Sequence, residues 1–217
     1  MRQETIEDYT RQLAKSFGGV RDPVKTDELR KLYQKKNFVG MARHIRVHLG
    51  LTLNVRIAFV KSGGPPNAPA WIRHPARMPV FGTPEFRMTT VTIYLRNDFL
   101  KEAPFDTVVF ALAHEFAHVV LEAIQHPLKK DEVAVDLAAM LLGFRDSYCA
   151  GCLYPVRKAQ PAKPKNFRQT VMHALGRIFK KEEPSRFEMG VIGYLTPEEI
   201  TYAAALMERG FGWPARN

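Results

Sequence analysis

The sequence contains few residues of several kinds, and each shortage excludes a class of protein. Only two cysteines occur among 217 residues, too few for the disulfide framework of a small secreted domain. No run of 18 apolar residues is free of charge, which argues against a membrane-spanning helix. The first nine residues, Met-Arg-Gln-Glu-Thr-Ile-Glu-Asp-Tyr, lack the apolar centre of a signal peptide. We therefore expect a cytoplasmic protein that does not associate with membranes.

Acidic residues are also scarce relative to basic ones, 22 against 32, which gives a net charge of +10. Spread along a chain, such a charge favours solubility and weak association with nucleic acid. Part of it is concentrated in residues 147–181, which contain eight Lys or Arg, three prolines and no Asp or Glu. We interpret this basic segment as a solvated loop or tether, with a weak nucleic-acid contact as the alternative.

A short motif interrupts a long apolar stretch in the middle of the chain. His114-Glu115-Phe116-Ala117-His118 has the pattern H-E-x-x-H, and apart from Thr107 and Glu122 the rest of residues 107–124 are apolar. Because residues four apart on a helix share one face, both imidazoles can bind one metal ion. Glu115 projects about 100° away and can reach a water molecule at that metal. The motif predicts a metal site on a buried helix, since burying these groups unpartnered is costly.

The next apolar segment supplies a candidate third ligand. Between residues 132 and 142 only Glu132 and Asp136 are polar, they are four residues apart, and Gly143 follows. This pattern predicts a second buried helix that ends at Gly143. We interpret Glu132 as the third metal ligand and Asp136 as the acceptor of a hydrogen bond from a ligand histidine. A partly exposed helix with two solvated carboxylates is the alternative.

Two other side chains compete with Glu132 for the third ligand position. His126 falls beyond the end of the first helix, just before Pro127, and the sequence lacks the glycine turn of H-E-x-x-H-x-x-G-x-x-H sites. Glu122 continues the row of the two motif histidines but lies one turn too far along the same helix to complete a tetrahedron. We expect Glu122 to be a rim or hydrogen-bonding residue.

With thirteen residues between His118 and Glu132, and with Glu132 in an E-x-x-x-D pattern, the chain resembles the gluzincin branch of zinc metallopeptidases. The resemblance implies Zn²⁺ as the cofactor, held by His114, His118 and Glu132. It also implies that Glu115 is the general base. The fold that it implies is α+β and zincin-like, with a small twisted, mostly antiparallel sheet packed on two site helices.

The same resemblance implies a β-strand beside the site that binds the main chain of the substrate. Residues 89–95 are rich in β-branched side chains and lie shortly before the first site helix. We therefore expect Val91, Ile93 and Tyr94 to contact the substrate. The sequence departs from the family in having no recognisable downstream His or Tyr motif for stabilising the oxyanion, so that residue stays unassigned.

The remaining patterns predict the organisation of the chain. Apolar spacing predicts helices at 4–17, 27–35 and 37–48, and strands at 51–60, 70–72 and 87–95. Thr196, Pro197 and Glu199 have the spacing of a helix start, with the helix running to about residue 209. We expect four segments along the chain. A helical segment at 1–50 precedes a catalytic core at 51–146, which contains the site helices at 107–124 and 131–142. A basic loop and helix at 147–185 and a helix in 186–217 that packs on the core complete the chain. Together these would form one compact domain.

Several other residues have chemistry that the metal site does not use. Cys149 and Cys152 form a lone C-x-x-C, which we interpret as incidental thiols in a loop, with a redox or ancillary metal role as the alternative. His74 and Arg77 belong to a proline-rich stretch that we interpret as a surface loop, although both could face a substrate. His173, in the basic segment, is interpreted as a surface residue.

These observations predict a zinc-dependent peptidase that acts on a peptide or protein. Two alternatives remain. In the first, zinc only holds the helices together in a regulatory or scaffold protein. In the second, the protein associates with nucleic acid through the basic segment. The sequence does not indicate an oligomeric state.

Overall fold

Three helices precede the first strand: α1 (Arg2–Phe17), α2 (Thr26–Gln34) and α3 (Phe38–His48). In the computed structural model the described residues are 2–65, 68–157 and 187–210. The predicted helices match these bounds to within two residues at each end. Helix α3 begins where the side chain of Asn37 accepts a hydrogen bond from the Gly40 N–H, which satisfies one of the free donors of the first turn.

A three-stranded sheet follows, formed by β1 (Asn54–Val60), β2 (Ala70–Arg73) and β3 (Thr90–Arg96). The strand order is β1-β3-β2, so β3 is central. β3 pairs in parallel with β1 and antiparallel with β2. The fold is therefore α+β as predicted, but the sheet is mixed rather than mostly antiparallel. Residues 61–89 separate β1 from β3, and this length permits the crossover that a parallel pair requires.

Two short helices flank the central strand, α4 (Pro84–Met88) and α5 (Asn97–Glu102). The strand predicted at 87–95 therefore starts too early. The reason is local, because the Thr83 side chain accepts a hydrogen bond from the Phe86 N–H and starts α4, with a proline in its first turn.

The two predicted site helices are present as α6 (Phe105–Ala123) and α7 (Glu132–Ala139). Every residue of α6 is buried except Asp106, His118 and Glu122, as expected for a helix that is apolar on all sides. α6 packs against β2, α3 and α7, so it lies between the sheet and the other helices.

Helix α7 continues into a π-helical turn, Met140–Phe144, which is kinked at Gly143, where φ is 103°. Only glycine fits there, because an added Cβ would lie 2.5 Å from the backbone oxygen of Asp22. The Arg21 N–H donates to Leu141 O, and the Val24 N–H donates to Gly143 O. The linker between α1 and α2 is thereby joined to the end of α7.

A further helix, α8 (Arg145–Gly151), packs against α6. An added Cβ at Gly151 would lie 2.5 Å from the backbone carbon of Asp106, so the two helices approach closely there. The basic segment that was predicted to be a tether from residue 147 therefore begins as a packed helix. Its residues 158–181, His173 among them, lie outside the described part of the chain.

Beyond α8 come β4 (Leu153–Arg157), β5 (Phe187–Val191) and α9 (Pro197–Arg209), and β4 pairs with β5. Thr196 and Glu199 form the predicted capping box of α9. The chain divides into two compact units, Met1–Tyr154 with Val191–Asn217, and Pro155–Gly190. No helix among the described residues is both long enough and apolar enough to cross a membrane.

Candidate metal centre

Helix α6 presents the two motif histidines side by side. His114 and His118 are one turn apart, and their ring centroids are 4.9 Å apart with an interplanar angle of 81°. His114 is buried, whereas the side chain of His118 is 18% exposed. Both rings are therefore packed against their neighbours, and the ring of His118 stays partly accessible to solvent.

Helix α7 brings Glu132 to the same place. The side chain of Asp131 accepts hydrogen bonds from the N–H groups of Val133 and Ala134 and so begins the helix. The hydroxyl of Tyr9, on α1, donates to Asp131 at 2.9 Å. Glu132 is the first residue of α7, and its Oε2 atom lies 3.3 Å from Nε2 of each motif histidine.

The spacing of these three atoms fits a metal ion. Neither 3.3 Å contact has the geometry of a hydrogen bond, and Glu132 Oε2 is buried without a hydrogen-bond partner. Ligands about 2.0–2.1 Å from a tetrahedral zinc ion are themselves roughly 3.3–3.4 Å apart. The nitrogen and oxygen atoms of His114, His118 and Glu132 lie within 4.8 Å of one another. This group could hold a metal ion.

The charges around the ligands favour a bound cation. Burial favours the neutral form of His114, but the nearby carboxylates of Asp136 and Glu132 outweigh burial and raise the pKa of His114 to about 10. The contacts with His114 and His118 lower the pKa of Glu132 to about 2. In a chain with a net charge of +10, this pocket is locally acidic and stabilises positive charge.

Asp136 lies behind His114, one turn along α7 from Glu132, and is fully buried. Its Oδ1 atom is 2.8 Å from Nδ1 of His114. A hydrogen bond there places the ring proton on Nδ1 and leaves Nε2 free to bind a metal. The structure thus brings together Asp136 and the three predicted ligands.

Glu115 points away from the ligand row, between α6 and the sheet, and is only 6% exposed. Burial raises the pKa of its carboxyl group, and the two neighbouring histidines partly offset the rise. The backbone N–H of Ile72, on β2, lies on the same side and lowers the pKa of this carboxyl group slightly. A buried carboxyl group beside a candidate metal site is the arrangement that proton transfer requires.

These groups line a cavity of about 440 Å³. The three candidate metal ligands and Glu115 form one part of its wall, and most of the rest is apolar or aromatic. That second part includes Trp71, Ile72, Phe110, Tyr154, Ile192 and Tyr194. No Lys or Arg belongs to the lining formed by the described residues.

The competing ligands lie elsewhere. His126 is buried beyond the end of α6, where its Nδ1 atom accepts a hydrogen bond from the Leu128 N–H. Glu122 forms an ion pair with Lys129 at 2.7 Å. Arg77 is exposed, whereas His74 lines the cavity, with its Nδ1 atom 2.8 Å from Pro75 O.

The strand predicted to contact the substrate, β3, does not line the cavity. Val91 and Ile93 are fully buried, and Tyr94 stacks on Trp71 with ring centroids 5.2 Å apart. As the central strand, β3 uses both of its edges for pairing with β1 and β2. The strand that lines the cavity is β2, through Ala70, Trp71 and Ile72.

Several residues at the site were not predicted from the sequence, and three of them surround Asp136 or His114. Tyr148, on α8, donates its hydroxyl to Asp136, and the N–H of Tyr194 donates to the same carboxylate. The ring of Tyr194 also stacks on His114 at 5.9 Å. Gly193, with φ of +88°, makes this approach possible. Tyr194 and Asp136 are 58 positions apart in the sequence. The spacing of residues along a helix or strand therefore could not predict this contact.

The cysteines are not part of the metal centre. Cys149 lies in α8 and is exposed, whereas Cys152 follows the helix and is buried, and both thiols are free. The predicted loop is therefore the end of a helix. Burial raises the pKa of both thiols, which makes them poor nucleophiles.

No protein-family model, curated protein or solved structure matches this chain.

Proposed function

We propose that this protein is a zinc-dependent metallopeptidase with a zincin-like fold. The observation that carries the proposal is the convergence of Glu132 Oε2 on both histidine Nε2 atoms at 3.3 Å, with the buried Glu115 beside them. When bound, a zinc ion supplies a Lewis acid that polarises a carbonyl group and acidifies a water molecule. His114, His118 and Glu132 would hold the ion.

Glu115 supplies the proton transfers of the proposed reaction. Its carboxylate accepts a proton from the attacking water molecule and then gives it to the nitrogen of the leaving amine. Burial raises the pKa of Glu115, which brings the group closer to the pH at which it must both accept and release a proton. A carboxylate of ordinary acidity would accept the proton from the water molecule less readily.

The free edge of β2 supports a peptide as the substrate. Within the described residues β2 pairs only with β3, so its other edge has main-chain groups available for an extended chain. Ile72 of β2 and Glu115 line the same cavity, so this edge lies near the proposed general base. A peptide that adds to β2 would therefore have its main chain near Glu115.

The shape of the site favours catalysis over a purely structural role for the metal. A structural zinc site usually has four protein ligands, whereas a catalytic site has three and an open position. Among the described residues the metal-binding group has three members, and they line an open cavity. A nucleic-acid role would rest on the basic segment, most of which lies outside the described residues.

Replacement of the base tests the proposal. We expect Glu115→Gln to keep one zinc ion per chain and to lose peptide cleavage by about 10²–10⁴-fold. Zinc content is measured by elemental analysis, and cleavage is measured with an unbiased peptide library. Glu122→Gln is the matched control, because Glu122 is on the same helix but pairs with Lys129, and it should retain both zinc and cleavage.

Each other outcome supports a different conclusion. Full cleavage by Glu115→Gln would refute the assignment of the base. Zinc binding with metal-dependent melting, but without cleavage of any peptide by the wild type, would identify a zinc-stabilised scaffold. Binding to nucleic acid that weakens steeply with added salt would support the remaining alternative.

A further inference from the structure

Asp136 is a fully buried carboxylate that accepts four hydrogen bonds from three parts of the chain. Its Oδ1 atom is 2.8 Å from His114 Nδ1 and 3.2 Å from the Tyr148 hydroxyl. Its Oδ2 atom accepts the backbone N–H groups of Tyr194 at 2.6 Å and Leu195 at 3.2 Å. Both oxygens are therefore fixed in place, because rotation of the carboxylate would break bonds on both sides.

We infer that Tyr148 and the turn at residues 193–195 are positioning elements of the metal centre. They hold Asp136, and Asp136 holds the ring of His114 in the orientation that a metal ion needs. The inference rests on the proposed metal site and adds to it an outer layer from two distant segments of the chain. Outer hydrogen-bond partners of this kind raise the affinity of a site without touching the ion.

The ring of Tyr148 is held against the helix that carries the histidines. It stacks on Phe110 with ring centroids 3.7 Å apart and an interplanar angle of 21°. Phe110 lies one helical turn before His114 on α6, so Tyr148 is anchored next to the ligand row. Tyr148 is fully buried, and its hydroxyl donates to Asp136 Oδ1, the same atom that contacts His114.

The turn at residues 193–195 depends on a glycine. Gly193 has φ of +88°, which residues with side chains rarely adopt. An added Cβ would lie 2.5 Å from Cζ of Phe110 and 3.0 Å from Asp136 Oδ2. Without a side chain at this position, the backbone comes close enough for the next two N–H groups to reach Oδ2.

These contacts define the tautomer of His114. With a proton on Nδ1 directed at Asp136, Nε2 faces the side where Glu132 lies and is the nitrogen that would bind a metal ion after releasing its own proton. A carboxylate that can rotate would fix this ring less strictly. Removal of either positioning element should therefore weaken zinc binding by about tenfold, at the lower end of the range for such partners.

The first test compares two tyrosine variants of the full-length protein. We expect Tyr148→Phe to raise the dissociation constant for zinc about tenfold in competition with a chromogenic chelator. Tyr33→Phe is the matched control. Its hydroxyl also donates a hydrogen bond, a partly buried one to Ala103 O at 2.7 Å, but away from the metal centre. This control should bind zinc within about twofold of the wild type.

The second test compares two glycine variants. Gly193→Ala introduces the two close contacts and should also weaken zinc binding about tenfold. Gly50→Ala introduces similar backbone strain, with φ of +69°, but nothing lies within 4 Å of its Cβ. A loss of affinity shared by both variants would reflect strain alone and would overturn the role of the turn.

A third measurement reports on positioning without any metal. In ¹⁵N NMR spectra of the metal-free protein, Tyr148→Phe should shift or broaden the Nδ1–H resonance of His114, and Tyr33→Phe should leave it unchanged. If zinc binds the wild type and Tyr148→Phe equally well and this resonance does not change, the inference is wrong. If the wild type itself binds no zinc, the metal site and the inference both fail.

Discussion

Helices α6 and α7 and the turn at residues 193–195 all contribute to the surroundings of Asp136, but they are held in place in different ways. The helices are packed on nearly every side, and their site residues are fixed by neighbouring apolar side chains. The turn is at the surface, where Gly193 is exposed and Tyr194 is 54% exposed. It is fixed by two backbone N–H groups that meet one buried carboxylate.

A metal centre requires both that its ligand atoms lie close together and that each ligand ring has the right orientation. Packing brings ligand atoms to within a few ångströms of one another, whereas hydrogen bonds decide which way each ring faces. Damage to the helices should therefore remove the metal, and damage to the turn should lower affinity while the site persists. The following variants test that distinction, from the largest expected effect to the smallest.

Among the changes to the helices, His118→Ala should have the largest effect, because it removes a candidate ligand. We expect the loss of stoichiometric zinc, because two ligands cannot replace the three of a catalytic site. Elemental analysis of the purified variant provides the measurement. His126→Ala is the comparison, because His126 is a buried histidine outside the group, and it should keep its zinc even if it melts earlier. If His118→Ala retained zinc and His126→Ala lost it, His126 rather than His118 would be the ligand.

Asp136 is the residue at which the helices and the turn meet, and Asp136→Asn tests its role. An amide has a single oxygen and cannot accept all four hydrogen bonds, so we expect zinc affinity to fall by about 10–100-fold. Chelator competition measures the change. Asp98→Asn is the surface control, since Asp98 pairs with Arg96 outside the site. Equal affinity for Asp136→Asn and the wild type would show that the orientation of His114 does not matter.

The start of the ligand helix is tested by Asp131→Ala. This change removes the N-cap of α7 and the partner of the Tyr9 hydroxyl. We expect the free energy of unfolding to fall by about 1–2 kcal/mol, with weaker zinc binding because Glu132 is the first residue of the helix. Urea denaturation with and without zinc measures both effects. Unchanged zinc affinity would mean that packing alone positions Glu132.

The smallest effect is expected from Thr196→Ala, which removes the N-cap of α9 directly after the turn. The free energy of unfolding should fall by about 0.5–1 kcal/mol. Zinc affinity should not change, because the bonds to Asp136 come from residues 194 and 195, before the helix. A clear loss of affinity would show that the turn needs α9 as its support.

The helical parts of the site could be predicted because their signals are local. Four-residue spacing on two apolar helices identified His114, His118, Glu132 and Asp136, and the capping box at Thr196 gave the start of α9. Each of these signals depends on residues within one or two helical turns of one another. The structure places the three candidate ligands together.

The rest depends on contacts between distant residues. Both β2 and β3 have the composition of strands, but only their pairing shows that β3 is central and that β2 is an edge strand among the described residues. Gly193 and Tyr148 follow no period that relates them to Asp136. Their roles depend on two places where distant parts of the chain come close to Asp136. Such contacts cannot be predicted from the pattern of a single sequence.

The bonds between the linker at residues 21–24 and the π-helical turn have a consequence for the intact chain. Arg21 and Val24 donate to backbone oxygens at the end of α7, while Tyr9 bonds to its beginning. The N-terminal segment therefore spans the ligand helix from one end to the other. We expect proteolytic trimming of the first 25 residues to remove the bonds at both ends of this helical segment at once, and so to disturb the candidate metal site without a cut anywhere in the cavity.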